Sequence, residues 1–251
     1  MSKEYEAAKY NIKNNELITS TRLEDLSNEL IYEIFNYFES WKIYEIFFQL
    51  NIRFQHLFTS PVFRLEINLP SISKTNFLRR CEELVKPNIN RIVLLSLSNY
   101  CAIDIFLKLF SIHSFIHLER LILDDVTSNN LLVRLLNSLV SLPRLFKLSI
   151  TLSSYYVDEN IVLQCIFRLP IIKYCKLTFD GNLDCICLPC AHDKNCQCQT
   201  LKHLIIDGDF CLNQLTPILT YTPQLTYLSC RFQSGFDYKT SEQLLLPFHS
   251  R

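Results

Sequence analysis

One spacing recurs along most of this chain and constrains its fold more than any other feature. Three apolar residues stand in the pattern apolar-x-x-apolar-x-apolar, and successive starts are 27, 29, 27, 27, 29 and 24 residues apart. Self-similarity at such a period predicts stacked units that bury their apolar faces against one another. The seven triads are Val62, Leu65, Ile67; Ile89, Ile92, Leu94; Leu118, Leu121, Leu123; Leu145, Leu148, Ile150; Ile172, Cys175, Leu177; Leu201, Leu204, Ile206; and Leu225, Leu228, Cys230.

A helical stretch is predicted between most of these triads. Ser128 and Asp158 stand where helix N-caps are expected, and Pro143, Pro170 and Pro223 mark stops before the next triad. A short strand and a helix in each unit predict an α/β fold with parallel strands. The predicted helices are Thr75–Val85, Ala102–Phe110, Asn129–Leu139, Glu159–Leu169 and Gln214–Leu219, and Thr240–Phe248 begins another.

The segment before the array carries a wide apolar stripe. Leu26, Leu30, Ile34 and Phe38 fall four residues apart, which is typical of an amphipathic helix. Ser27 can cap the start of this helix through its hydroxyl. Helical spacings continue through Trp41, Ile43, Ile46, Phe47, Leu50, Phe54 and Leu57, which predict two further short helices before Pro61.

This segment, Leu23–Phe63, resembles an F-box. The resemblance is carried by Leu26-Ser27-Asn28-Glu29-Leu30-Ile31, by the Ile34-Phe35 pair and by Asn51–Leu57. Ser27 departs from the family pattern, which usually has proline there; proline pre-sets the first helical turn, and serine can start the helix by capping it. Three amphipathic helices of an ordinary small bundle are the alternative interpretation.

The strand and helix of each unit resemble the leucine-rich-repeat plan, although no unit has Asn or Cys at the usual turn position. The chain thus resembles F-box proteins with C-terminal leucine-rich repeats. The resemblance implies a curved solenoid with short parallel strands on its concave face and helices on its convex face. We expect a flexible leader over residues 1–20, a three-helix module over residues 21–61 and the repeats over residues 62–251, with a cysteine-rich insert at 181–199.

The resemblance also implies a function. Such a protein is the substrate-recognition adaptor of a ubiquitin ligase: the helical module docks on a Skp1-like adaptor of a cullin complex, and the repeats bind a protein client. The family pattern makes Leu26, Leu30, Ile34, Phe35 and Trp41 the candidate docking residues. A repeat protein that acts as an interaction scaffold unconnected to ubiquitin is the alternative.

The strand positions between the buried apolar residues predict the client-binding surface. The column just before the second apolar residue holds four basic residues and then three ring-bearing ones. Four cations about 4.8 Å apart would repel one another, and an acidic or phosphorylated partner would relieve this. A solvated face with neutralising neighbours is the alternative interpretation. The column is Arg64, Arg91, Arg120, Lys147, Tyr174, His203 and Tyr227.

Composition excludes several other classes of function. The formal net charge is zero, so no general attraction to nucleic acid or to an anionic membrane is expected. Three isolated glycines do not form a phosphate-binding loop. Neither a secretory signal nor an apolar run of about 18 residues is present, which favours a cytoplasmic or nuclear protein. Because no catalytic set has recognisable spacing, we expect a non-catalytic adaptor.

Five cysteines and one histidine cluster in the insert. Cys187-x-x-Cys190 has the spacing of half a zinc site, and Cys196 and Cys198, or His192, could complete it. The interval between the halves is shorter than in common zinc motifs, and a cytosolic insert of this kind can also hold free thiols. We expect no bound cofactor, with zinc as the alternative. The six other cysteines fall mostly at repeat-core spacings and are predicted to be small buried residues: Cys81, Cys101, Cys165, Cys175, Cys211 and Cys230.

Metal analysis of the purified protein separates the two interpretations of the insert. We expect free thiols, and therefore less than about 0.1 equivalent of zinc per chain. A stoichiometric zinc content that is lost in the Cys187→Ser, Cys190→Ser variant and kept in a Cys81→Ser, Cys165→Ser variant would establish the site instead.

Overall fold

The computed structural model describes residues 22–153, 158–182, 197–210, 215–233 and 241–247. The chain divides between Phe38 and Glu39 into two compact units. The predicted module boundary lies later in the chain, after residue 61. The second unit therefore takes in two helices that the sequence pattern grouped with the first.

The first unit contains a 3-10 turn, Leu23–Asp25, and helix α1, Asn28–Phe35. The predicted N-cap is confirmed, because the Ser27 hydroxyl oxygen accepts a hydrogen bond from the Leu30 backbone N–H at 3.5 Å. Hydrogen bonds from its own backbone N–H and from the Ser27 hydroxyl lower the pKa of the Glu29 carboxyl. A carboxylate in the first turn also complements the helix dipole, so the start of α1 is well specified by its sequence.

The second unit is built on one sheet, and this confirms the α/β class. Seven described strands run parallel in chain order, and the eighth pairs antiparallel with the seventh. Parallel neighbours need a crossover connection, and helices lie in most of the connections that the structure describes. The strands are β1, Leu65–Leu69; β2, Ile92–Ser98; β3, Arg120–Val126; β4, Lys147–Leu152; β5, Tyr174–Asn182; β6, His203–Phe210; β7, Tyr227–Gln233; and β8, Ser241–Pro247.

Helices precede the sheet and join its strands. Asp158 accepts hydrogen bonds from two backbone N–H groups, and Ser128 accepts one, so both predicted N-caps are confirmed. The helix predicted over Thr75–Val85 changes to a π turn at Cys81–Val85 and then to a 3-10 turn, Lys86–Arg91. The helices are α2, Ser40–Ile46; α3, Ile52–Thr59; α4, Lys74–Arg80; α5, Tyr100–Leu109; α6, Asn129–Leu139; α7, Glu159–Phe167; and α8, Leu215–Tyr221, with a further 3-10 turn at Ile112–Ser114.

Alternate strand residues fill the core. In β3 and β4 the triad residues Leu121, Leu123, Leu148 and Ile150 are buried, as predicted, and so are Val126 and Leu152. Burying an aliphatic side chain of this size stabilises the fold by about 1.5–3 kcal/mol. Because the side-chain period of a strand is two, each buried residue puts its neighbours on the opposite face of the sheet.

The predicted register is right for five strands and wrong for two. Arg120, Lys147, Tyr174, His203 and Tyr227 are successive partners across β3 to β7, as the triads predict. In β2, however, Leu94 faces Arg120, and in β1 Glu66 faces Leu94. Arg64 and Arg91 therefore lie outside the row.

The near-continuous apolar run of β2 explains this error. Ile92 and the residues up to Leu97 offer several ways to place the triad, and the structure buries Leu95 and Leu97 fully while Leu94 stays partly exposed. An irregularity between Leu65 and Glu66 shifts the pairing again. A change in pairing register of this kind changes which side chains are neighbours across the sheet and which face each one lies on.

The helix predicted to begin at Thr240 is also wrong. Ser241–Pro247 is β8, whose residues pair with β7 from Ser241 opposite Gln233 to Pro247 opposite Tyr227. A short run such as Leu244–Leu246 does not distinguish a helix from a strand by periodicity. The edge of β7 offers backbone N–H and C=O groups, and hydrogen bonds with them stabilise residues Ser241–Pro247 as a strand.

Arg91 joins the end of α3 to the start of β2. Its guanidinium donates hydrogen bonds to the backbone oxygens of Phe58 at 2.8 Å, Ser60 at 2.9 Å and Phe63 at 3.3 Å. It also donates to the side-chain oxygen of Asn88. The last carbonyls of a helix lack partners within the helix, so Arg91 satisfies groups that would otherwise be lost hydrogen bonds.

We expect the Arg91→Met variant to lose about 2–3 kcal/mol of unfolding free energy, because the methionine keeps the apolar stem and removes charged hydrogen bonds. Urea unfolding measures the change. The matched control is Arg64→Met, whose exposed ion pair with Glu119 should be worth less than about 1 kcal/mol. Equal losses in the two variants would contradict the structural role of Arg91.

Candidate functional site

The candidate site is a row of side chains across the open face of the sheet. Register partners from β1 to β7 place them side by side, one from each strand. We call this set the first row. Its members are Glu66, Leu94, Arg120, Lys147, Tyr174, His203 and Tyr227.

The basic end of the first row is not the ladder of four cations that the sequence predicts. The Arg120 guanidinium forms an ion pair with the Glu66 carboxylate across the intervening Leu94. Arg64 pairs with Glu119 at 3.0 Å. With Arg91 on backbone oxygens, the described arginines of the predicted column all have partners, so the argument from mutual repulsion does not hold for them.

The other end of the row is a stack of one cation and three rings. The Lys147 ammonium lies 4.6 Å from the centre of the Tyr174 ring. The Tyr174 and His203 ring centres are 6.3 Å apart at 29° between planes, and those of His203 and Tyr227 are 5.7 Å apart at 33°. Rings arranged in this way present their faces to one another, which leaves their edges and polar atoms for a partner.

Burial, with smaller contributions from Cys175 and Tyr227, raises the pKa of the Tyr174 phenol above its usual value of 10.0. The phenol therefore stays neutral at physiological pH and can donate a hydrogen bond. The electron-rich face of this ring attracts the Lys147 ammonium.

Two further rows complete this face. The second row contains Ser149 and Lys176, which are register partners on β4 and β5, and Ile205 follows on β6. The third row is acidic at Asp124, whose carboxylate accepts a hydrogen bond from the Thr151 hydroxyl at 3.1 Å. Positive charge is thus concentrated in the first two rows, and negative charge lies in the third.

The predicted docking residues differ in exposure. Leu30 is 52% exposed, and Leu26 and Ile34 are partly exposed. Phe35, whose ring meets Tyr32 edge-on at 6.3 Å, is 1% exposed. Of the candidates in the first unit, Leu30 offers the most apolar surface to a partner.

Trp41 is part of an internal cluster. Its ring stacks on Tyr44 at 5.5 Å, and the guanidinium carbons of Arg79 and Arg80 lie 5.0 and 4.9 Å from its centre. Only 4% of Trp41 is exposed. This burial fits a structural role, since a docking anchor must have accessible surface.

The second unit also exposes apolar residues that the sequence pattern did not single out for docking. Ile46, at the end of α2, is 45% exposed, Leu50 is 53% exposed, and Ile52, at the start of α3, is 69% exposed. Ile46 and Leu50 belong to the helical spacings of the sequence, whereas Ile52 is not one of those apolar positions. All three lie where α2 ends and α3 begins, and their side chains remain at the surface.

The candidate metal ligands are only partly described. Cys187, Cys190 and Cys196 lie outside the described residues, whereas Cys198 is buried and its thiol is 3.8 Å from the Thr200 hydroxyl. Among the residues with assigned positions, no three histidine, cysteine or acidic side chains come together as a metal site. No helix in the described ranges is both long and apolar enough to cross a bilayer.

The prediction of buried cysteines outside the insert is confirmed at four positions and wrong at Cys101, which is exposed on α5. Cys211 lies outside the described residues. Burial raises the pKa of the Cys81 thiol to about 12, with a smaller contribution from Glu82. Such thiols stay protonated and behave as small apolar groups. The buried four are Cys81, Cys165, Cys175 and Cys230.

One serine–histidine contact has the residue types of a catalytic pair. His113 Nδ1 and Ser141 Oγ are within hydrogen-bond distance on the exposed surface. The Ser141 hydroxyl, however, donates its proton to the Ser138 backbone oxygen at 3.0 Å. A nucleophilic serine must instead direct its proton to the base, so this contact has the geometry of a surface hydrogen bond.

The Lys147–Tyr174 contact predicts a measurable coupling energy. In a double-mutant cycle of Lys147→Met and Tyr174→Leu, we expect about 0.5–1 kcal/mol of coupling in urea unfolding, the range of a partly exposed cation–π pair. The control cycle replaces Tyr174→Leu with Tyr227→Leu, which removes a ring that does not face Lys147. Coupling of the same size in both cycles would contradict a specific contact.

No protein-family model, curated protein or solved structure matches this chain.

Proposed function

We propose that the protein is the substrate-recognition adaptor of a Skp1–cullin–F-box ubiquitin ligase. Its helical N-terminal segment docks on a Skp1-like subunit, and the open face of its sheet holds a protein client. The observation that carries the proposal is the exposure of apolar side chains on helical residues that precede a sheet with its own filled core. The F-box-like motif at Leu26–Phe35 supports the choice of partner.

Leu30 is the principal docking residue in this proposal. It is half exposed, and burial against a partner would remove a leucine side chain from water, worth up to about 1.5–3 kcal/mol. Leu26 and Ile34 border it with smaller exposed surfaces. Phe35 and Trp41 are each buried within their own unit and therefore offer little surface for docking.

The client-binding end uses the plan of a leucine-rich repeat. Seven parallel strands, with helices between most of them, present one residue per strand in each row. A row of this kind offers a partner many evenly spaced contacts without any need for a catalytic group. The adaptor acts by proximity, since it raises the effective concentration of the client near the ubiquitin-conjugating enzyme.

A repeat scaffold unconnected to ubiquitin is the second candidate, and one observation favours it. Helices α2 and α3 are tied to the sheet, because the Ser40 hydroxyl donates to the Glu66 backbone oxygen at 2.7 Å and Arg91 holds the end of α3. Helices with such contacts act as a cap that covers the first strand of the sheet. In that case they serve the fold and need no docking partner.

Binding to purified Skp1 separates the two candidates. We expect the wild-type chain to retain Skp1 in a pull-down, and the Leu30→Asp variant to bind at least about tenfold more weakly, because it puts a charge into an apolar contact. Leu109→Asp is the matched control, since Leu109 is 50% exposed on a different helix. If the wild type does not bind Skp1, or both variants bind equally, the adaptor proposal falls.

A further inference from the structure

Two lysines on neighbouring strands face the open side of the sheet. Lys147 is the register partner of Tyr174, and Lys176, two residues further along β5, is the partner of Ser149. Diagonal neighbours of this kind are about 7–8 Å apart. We call Lys147, Ser149, Tyr174 and Lys176 the lysine patch.

The lysine patch differs from the arginines beside it. Arg64 and Arg120 each hold a carboxylate, whereas neither lysine has one within ion-pair distance among the described residues. Lys147 instead contacts the face of the Tyr174 ring. Arg64 and Arg120 are therefore neutralised by carboxylates, and the two ammonium groups remain on this face.

The other groups of the patch are suited to an anion. The Ser149 hydroxyl can donate a hydrogen bond, and so can the Tyr174 phenol, as any protonated phenol can. Lys147 lies over the Tyr174 ring and His203 stacks beside it, so the hydroxyl and the electropositive edge of this ring remain for an anion. Asp124 and Asp207 make the third row acidic. Their carboxylates would repel a bound anion and so favour its position at the lysine patch.

The spacing favours carboxylates over a phosphate. Strong phosphate sites usually use arginine, whose guanidinium can form bidentate hydrogen bonds. Here Arg91 already donates to backbone oxygens, and Arg120 already pairs with Glu66. A lysine is a single point charge that matches one carboxylate. Alternate residues of an extended peptide are about 6.6–6.8 Å apart, close to the separation of the two lysines.

We propose that the lysine patch binds an unphosphorylated acidic segment of the client, in extended form, through two carboxylates that are two residues apart. Ile122 and Ile205 lie on either side of Ser149 and Lys176 in the second row. They give apolar side chains of the client segment a surface to contact. This inference rests on the proposed client-binding role of the sheet and is independent of Skp1 docking.

Single-stranded nucleic acid fits this face less well, although it is also an anion. Sequence-tolerant nucleic-acid surfaces stack bases on exposed aromatic faces. Here Tyr174 and Tyr227 each have His203 beside one face and Lys147 lies over Tyr174, so bases would find few free ring faces. The acidic peptide uses what the face offers, namely two ammonium groups and hydroxyl donors.

Fluorescence anisotropy with the full chain tests the proposal. The probe is a short fluorescein-labelled peptide whose centre is Glu-Ala-Glu, and the comparison probes are the same peptide with Gln for Glu, a phosphoserine peptide and oligothymidylate. We expect the Glu peptide to bind, and the Gln peptide to bind at least about tenfold more weakly. Stronger binding of the phosphopeptide or the oligonucleotide would overturn the proposal.

Charge reversal assigns the binding to the patch. In the Lys147→Glu, Lys176→Glu variant we expect affinity for the Glu peptide to fall at least about tenfold. Lys74→Glu, Arg134→Glu is the control, since it makes the same change of charge on exposed helical residues and should alter affinity less than about twofold. Equal losses would overturn the proposal.

Two further measurements keep the outcome interpretable. Thermal melting checks that each variant is folded; if the reversed variant is not, Lys147→Gln, Lys176→Gln takes its place with the same expected direction. The Skp1 pull-down is repeated on the variants. Loss of peptide binding with intact Skp1 binding supports the patch, whereas an absence of peptide binding by the wild type refutes it and leaves the docking result unaffected.

Discussion

Parallel pairing of seven strands, each with one apolar face, is the constraint on which the rest of the structure depends. Once Leu121, Leu148 and Leu204 face the core, the period of two places Arg120, Lys147 and His203 on the other face. A slip of one residue in β3 or β4 would bury a charge and expose a leucine. The order of the exposed row is therefore set by the energetics of the core.

The arginines and lysines on and beside this row have different roles. Guanidinium groups, with several donors in a fixed plane, are used where several acceptors or a carboxylate must be held, as at Arg91 and Arg120. Ammonium groups remain on the open face at Lys147 and Lys176. A chain with no formal net charge can in this way present a local positive surface, which favours a partner selected by position rather than by general attraction.

The helical residues before the strands include some that hold the fold together and some that expose apolar surface. Helix α2 and the end of α3 are held to the strands through Ser40 and Arg91, and this covers an end of the sheet that would otherwise offer unpaired backbone groups. Trp41, buried between Tyr44 and the arginines of α4, belongs to that joint. Exposed leucine and isoleucine side chains lie nearby in sequence, so buried structural residues and exposed apolar residues alternate within one short stretch.

Local signals in the sequence were sufficient to predict the fold class, five of the strands and three helix N-caps. The triads predicted the α/β class and the strands from β3 to β7, and the caps at Ser27, Ser128 and Asp158 were found where side-chain oxygens precede helices. These features depend on residues close together in the chain, whose hydrogen-bonding and apolar periods can be read directly.

The tertiary structure alone decided the pairing of β1 and β2, the strand at Ser241–Pro247 and the partners of the exposed charges. The arginines of the predicted column contact residues about thirty to fifty-five positions away, such as Glu66 from Arg120 and Phe58 from Arg91. A periodic pattern states which face a side chain lies on. Which of several nearby acceptors a long side chain then reaches depends on distances across the sheet, and these exist only after the strands have paired.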